Sequence, residues 1–183
     1  MKKISLLILI FFSLKTFSQD KKKQPEKVKT KMEVFTSKTG VISKYTDFNL
    51  DKLKTIYSNS ETRIRKLSSG NIENYFYQIE KQGKYGSSTA SIEYSDLLET
   101  IKALNKLASE VDIDLKSEPD YMENKFISED GFQLGYYISK NKANWFIKLE
   151  KFGSDKTLFI KDLEKLKIAL QLAKSKIEKL KSK

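Results

Sequence analysis

Three groups of residues have the side-chain types that catalysis or metal binding uses. The first is an acidic run, Glu110, Asp112, Asp114, Glu118 and Asp120. Carboxylates gathered in this way supply oxygen ligands to calcium, but the run lacks the glycine-bearing loop and the ligand spacing that wrap the ion. A solvated helix end and the linker after it account for the run. The second group is the carboxylate pair Glu129 and Asp130 within Ser128-Glu-Asp-Gly131. Acid–base work needs two carboxyl groups facing one bond. Neighbours in an extended chain point to opposite faces, and Asp-Gly is a hairpin signal. The third is Ser-Lys, at Ser37-Lys38, Ser43-Lys44 and Ser139-Lys140, where adjacency in sequence does not supply hydrogen-bonded dyad geometry. Cysteine and histidine are both absent. That removes disulfides, thiolate nucleophiles, Cys/His zinc sites and Ser-His-Asp triads. No catalytic residue, cofactor or metal ligand is assigned.

The remaining candidates are aromatic: Phe76, Tyr137, Phe146 and Phe159. Phe76 and Phe146 are opposite in strand parity to the neighbouring Tyr75, Tyr77, Trp145 and Ile147, so the two sets belong to different sheet faces. A ring on the face away from a helix can stack on a base, a sugar ring or a partner chain. The competing reading buries this second face between two halves of the molecule, packed sheet on sheet or paired into one sheet. A pseudo-symmetric interface reuses the same patch, and Phe76 and Phe146 are equivalent in a duplication.

That duplication organises the chain. Asn74-Tyr-Phe-Tyr-Gln-Ile-Glu-Lys-Gln-Gly83 and Asn144-Trp-Phe-Ile-Lys-Leu-Glu-Lys-Phe-Gly153 read as copies, offset by 70 residues through the strands and 66 in the helices that follow. Met32 to Ser37 and Val41 to Phe48 read as extended runs, and Asn49 to Ser60 as a short helical turn or a loop. Glu61 to Leu67, Tyr75 to Lys81 and Thr89 to Glu93 read as strands joined by turns at Ser68–Asn71 and Gly83–Gly86. Ser95 is the expected N-cap of a helix carrying Leu97, Ile101, Leu104, Ala108 and Val111 on one face and ending before Pro119. The second half has strands from Met122 to Ser128, Phe132 to Ser139, about Trp145 to Leu149, and Thr157 to Ile160. Asp162 then opens a helix with Leu163, Leu166, Leu170, Ala173, Ile177 and Leu180 along one stripe. That stripe spans three heptads, as in a coiled-coil dimer. Ile168, Ala169 and Leu172 widen it to that of a helix docked on a sheet. The expected fold is α+β: two tandem repeats of an antiparallel β-meander of about four strands, each followed by an amphipathic helix packed on the sheet.

The strand–strand–strand–strand–helix pattern resembles PUR repeats and Whirly proteins over most of residues 61–180, as pattern alone. The run Asn74-Tyr-Phe-Tyr-Gln-Ile with Ser91-Ile-Glu-Tyr-Ser-Asp-Leu-Leu is similar to the last two strands and helix start of such repeats. This resemblance implies binding of single-stranded nucleic acid on the face opposite the helices. Tyr75-Phe-Tyr-Gln-Ile-Glu-Lys and Gly131-Phe-Gln-Leu-Gly-Tyr-Tyr-Ile resemble a family of small exported bacterial proteins, which implies export and no particular activity.

Charge argues against the nucleic-acid reading. The formal charge is +11, but lysines concentrate at the ends. Residues 20–31 carry six lysines against Asp20 and Glu26, and residues 174–183 carry five against Glu178. Between Met32 and Ala173 there are 21 basic and 21 acidic residues, so the body is formally neutral. Polyanion binding would fall to the basic ends and weaken with salt.

The N-terminus reads as a signal peptide over residues 1–18. Met1-Lys2-Lys3 is followed by the apolar run Ile4–Phe12 and small residues before a cleavage point near Ser18/Gln19. The run is short of the roughly 20 residues that span a bilayer, so no transmembrane span is expected in the mature chain; an uncleaved anchor is the competing reading. Residues 19–31 read as a basic disordered linker and 32–183 as a single domain of two repeats, 32–118 and 119–183. The function expected is that of an exported, non-catalytic binding or envelope-associated module, periplasmic or extracellular, whose partner is a protein or envelope component. The alternatives are an enzyme or small-ligand carrier with a carboxylate/Lys/Tyr site, and polyanion binding through the basic termini.

Overall fold

The computed structural model describes residues 29–84, 86–150 and 156–182. The expected signal peptide and most of the expected linker lie outside these residues. Thr30 and Lys31, at the linker's far end, are the cap and first residue of helix α1, Lys31–Thr36. The reading of Met32–Ser37 as extended is therefore corrected. Thr30 and Glu33 form a capping box, in which the Thr30 hydroxyl accepts from the Glu33 N–H and the Glu33 carboxylate accepts from the Thr30 N–H. A threonine followed three residues later by glutamate is the sequence mark of that motif.

Among the described residues, eight strands follow in two antiparallel sheets of sequential order. The first holds β1 (Lys44–Lys54), β2 (Asn59–Ser69), β3 (Ile72–Gly83) and β4 (Gly86–Glu93), and is followed by α2 (Tyr94–Lys116). The second holds β5 (Tyr121–Ile127), β6 (Gln133–Ser139), β7 (Lys142–Lys148) and β8 (Thr157–Ile160), and is followed by α3 (Leu163–Lys181). Among the described residues the fold is thus α+β with two four-stranded antiparallel sheets and three helices.

Residues 49–54, read as a helical turn or loop, continue β1. The register shifts between Leu50, opposite Thr62, and Leu53, opposite Ser60. This bulge puts residues three apart on one face of a strand, which imitates helical spacing. Helix α2 is capped by Glu93 rather than Ser95; the Glu93 carboxylate accepts from the Ser95 N–H at 2.9 Å. Its buried residues include Leu97, Thr100, Leu104 and Leu107, while Ile101, Ala108 and Val111 are only half-buried. Asp162 caps α3 as expected.

One apolar cluster holds both sheets together. It joins Ile64, Tyr77, Ile79 and Ile92 of the first sheet, Leu134, Ile147, Leu158 and Ile160 of the second, Leu97 and Leu104 of α2, and Leu166, Leu170, Ala173 and Ile177 of α3. Each long helix reaches the other half's sheet. α2 lies against β5, β6 and β7 as well as β3 and β4, and α3 lies against β1, β2 and α2. Farther along α2, Leu107 packs with Tyr136 and Ile138. Ile168 and Leu172, which widen the apolar stripe of α3, are about half exposed.

Candidate functional site

The outward face of the second sheet gathers three of the four aromatic candidates. Phe146 of β7 stands between Gly135 of β6 and Phe159 of β8 in register. Tyr137 of β6 lies 6.4 Å, centroid to centroid, from both Phe146 and Phe159. Two further rings extend the group. Tyr121 of β5 stacks on Tyr137 at 6.3 Å and 26°. Tyr57, from the β1–β2 turn, meets Phe159 edge-on at 6.2 Å. The Ile56 N–H donates to the Phe159 carbonyl at 2.9 Å, which ties that turn to the edge of β8. Ring pairs at 4.5–7 Å add to area burial. Phe146 is 7% exposed at the centre, whereas Tyr121 is 62% and Tyr57 82% exposed at the ends.

Gly135 makes the centre of this face possible. A Cβ there would stand 2.3 Å from the Asn124 carbonyl oxygen and 2.6 Å from Lys125 Cβ. Polar side chains edge the rings: the Tyr121 hydroxyl donates to Glu123 at 2.8 Å, and Glu123 pairs with Lys125. The Lys125 ammonium hydrogen-bonds to the Glu123 carboxylate and holds its pKa below the ordinary value.

Phe76 is elsewhere. It is fully buried on the outward face of the first sheet, clustered with Leu67, Phe35 and Met32. Helix α1, not the second sheet, covers it. Beside it runs a belt built on the chain's two arginines. Arg65 donates to both oxygens of Asp47, at 2.7 and 2.6 Å. Arg63 donates to Gln78 at 2.8 Å and to Glu80 at 2.7 Å, and Gln78 donates to Ser91 at 2.8 Å. The planar guanidinium suits this two-pronged pairing in a way that lysine does not.

The carboxylate groupings have partners of their own. Glu110 and Asp114, one helical turn apart on α2, both accept from Asn124 Nδ2, at 3.1 and 3.4 Å, and Asp114 also accepts from the buried Tyr136 hydroxyl. Burial, and then the bond to Asp114, push the Tyr136 pKa up to about 12. Asp130 accepts from the Lys31 N–H at 3.0 and 3.1 Å, and Lys31 Nζ bridges Asp96 at 2.5 Å and Glu129 at 3.2 Å. Burial holds the Asp130 carboxyl above its usual range. Among the described residues, no group of three or more acidic side chains is placed to hold a metal ion, and no helix is long and apolar enough to cross a membrane.

Tyr57 and Tyr121 were missed as members of the aromatic group for different reasons. Tyr57 comes from the other half of the chain, through a turn that no local pattern placed. Tyr121 lies one residue before the expected strand start at Met122, and its alternation with Glu123 was the available signal. No protein-family model matches the chain, and neither does any curated protein or solved structure.

Proposed function

We propose that this chain is an exported, non-catalytic binding protein that presents the outer face of its second sheet to a protein or envelope partner. The observation that carries this reading is the row of rings from Tyr121 through Tyr137, Phe146 and Phe159 to Tyr57. It is buried in its middle, open at both ends, and edged by residues of both charges. Interface anchors are commonly aromatic side chains with a polar rim. The outer face of the first sheet serves a different purpose, because α1 and the arginine belt occupy it.

The two halves are read as copies of one unit that have diverged. Phe76 on β3 and Phe146 on β7 hold equivalent positions in their sheets. One has acquired an intramolecular cover and the other an aromatic surround. The likeness to PUR and Whirly repeats supports this architecture and carries no function here, since the body is formally neutral. The test uses Tyr57→Ser with Tyr121→Ser, both at exposed rings. The folded double variant is expected to lose at least tenfold in retention on envelopes isolated from the producing cell. Equal retention of the variant and the native chain would end the proposal.

A further inference from the structure

Among the described residues, β1 is the outermost strand of the first sheet, with β2 on one side and no strand on the other. A groove of about 770 Å³ lies between β1 and α3. Every residue from Asn49 to Lys54 lines it. The bulge between Leu50 and Leu53 interrupts the alternation of faces, so neighbouring residues of β1 line the groove together, and Thr62 of β2 lines it as well. The opposite wall is a single stripe of α3 at spacings of three and four, which includes Lys165, Ile168, Leu172, Lys176 and Lys179. This stripe lies beside the buried one of Leu166, Leu170, Ala173 and Ile177. Ile168 is 56% and Leu172 50% exposed. Two half-open aliphatic side chains thus lie beside a strand edge that has no strand partner among the described residues.

We propose that this groove takes an extended segment of another protein, apolar at alternate central residues and acidic at both ends, which adds to β1 as a fifth strand. Strand addition supplies ladder partners to edge N–H and C=O groups and gives alternate side chains a surface to pack on, here Ile168 and Leu172; the Asp51 carbonyl already accepts from the Thr62 hydroxyl at 2.7 Å. The dimensions agree. Six residues of strand span about 20 Å, and the helix from Lys165 to Lys179 spans about 21 Å.

Charge selects the occupant. Asp51 is the one carboxylate among the lining residues, against Lys52, Lys54, Lys165, Lys176 and Lys179. Lys52 pairs with Glu61, and Lys165 lies 3.5 Å from Asp162. Lys54 and Lys179 have no ion pair among the described residues. A second copy pairing through the same edge would bring these lysines together, so like-charge repulsion disfavours it. A single acyl chain would fill the apolar floor but strip water from edge amides without replacing their hydrogen bonds.

The test titrates the full chain into a panel of fluorescein-labelled octapeptides, alternating Val or Leu with Thr between terminal Glu residues, and reads anisotropy. Micromolar binding is expected, weakened at least tenfold by Lys176→Glu with Lys179→Glu. Circular dichroism checks that this variant is folded. On the native chain, N-methylation of one alternate set of peptide amides should abolish binding, and methylation of the other set should not. Four results would each overturn the proposal: no panel member binding at 1 mM, indifference to both methylated sets, palmitate binding that excludes the peptides, or self-association that blocks them.

Discussion

At Gly135 the second sheet closes to any side chain. Gly135→Ala would force a methyl group to within 2.3 Å of backbone oxygen in the centre of the sheet, and backbone cannot step aside as a flexible side chain can. Overpacking of this kind costs about 1–3 kcal/mol, so the urea midpoint should fall by the corresponding amount with an unchanged slope. Asp47 carries a pH signature instead. The hydrogen bonds from Arg65 hold its carboxyl below the ordinary value, so the folded state binds this proton less readily than the unfolded chain. The resulting stabilisation is present above the ordinary carboxylate range and is lost as pH falls through the depressed folded value. Asp47→Asn should therefore lower the thermal midpoint at pH 7. The gap to the native chain should narrow on acidification to about pH 2, as scanning calorimetry would record; a constant gap would place the loss in packing. Neither residue is identifiable from sequence as special. Gly135 reads as one more glycine in a strand, and the pairing of Asp47 with Arg65 requires the β1–β2 register.

Helix α1 has six residues, too few to persist in water without tertiary contacts. Its capping box and the seat of Phe35 against Leu67 and Phe76 hold it together. Thr30→Ala removes one half of the box and should destabilise the protein by about 1 kcal/mol. It should also raise the fluorescence of a hydrophobic dye as Phe76 loses cover. Destabilisation without dye binding would mean that the cap acts on α1 alone and not on the sheet beneath. Long amphipathic helices and alternating strands were legible because burial repeats along them with a fixed period. α1 was not, because a single turn has no period to read. The extension of β1 was missed because its bulge broke the alternation.

The largest apolar cluster among the described residues is built from both halves, so unfolding should be a single transition with calorimetric and van't Hoff enthalpies in agreement. Fragments 29–118 and 119–182, produced separately, should each lack near-ultraviolet dichroism and regain it when mixed. Each fragment gives up a long helix that its own sheet helps to bury: α3 lies on β1 and β2, and α2 reaches β5, β6 and β7. Independent folding of either fragment would contradict the shared core. Sequence alone determined the α+β class, most strand positions, the N-cap of α3 and the exclusion of cysteine and histidine chemistry. These depend on composition and on local periodicity, which each segment carries in itself. Tertiary structure decided which surface each helix covers. It also decided that Phe76 is buried under α1 while Phe146 joins Tyr137, Phe159, Tyr121 and Tyr57, and that β1 has no strand partner on its outer edge among the described residues. Those outcomes depend on segments far apart in the chain meeting in space, and a pattern of period two or 3.6 states only that a face is apolar, not what meets it.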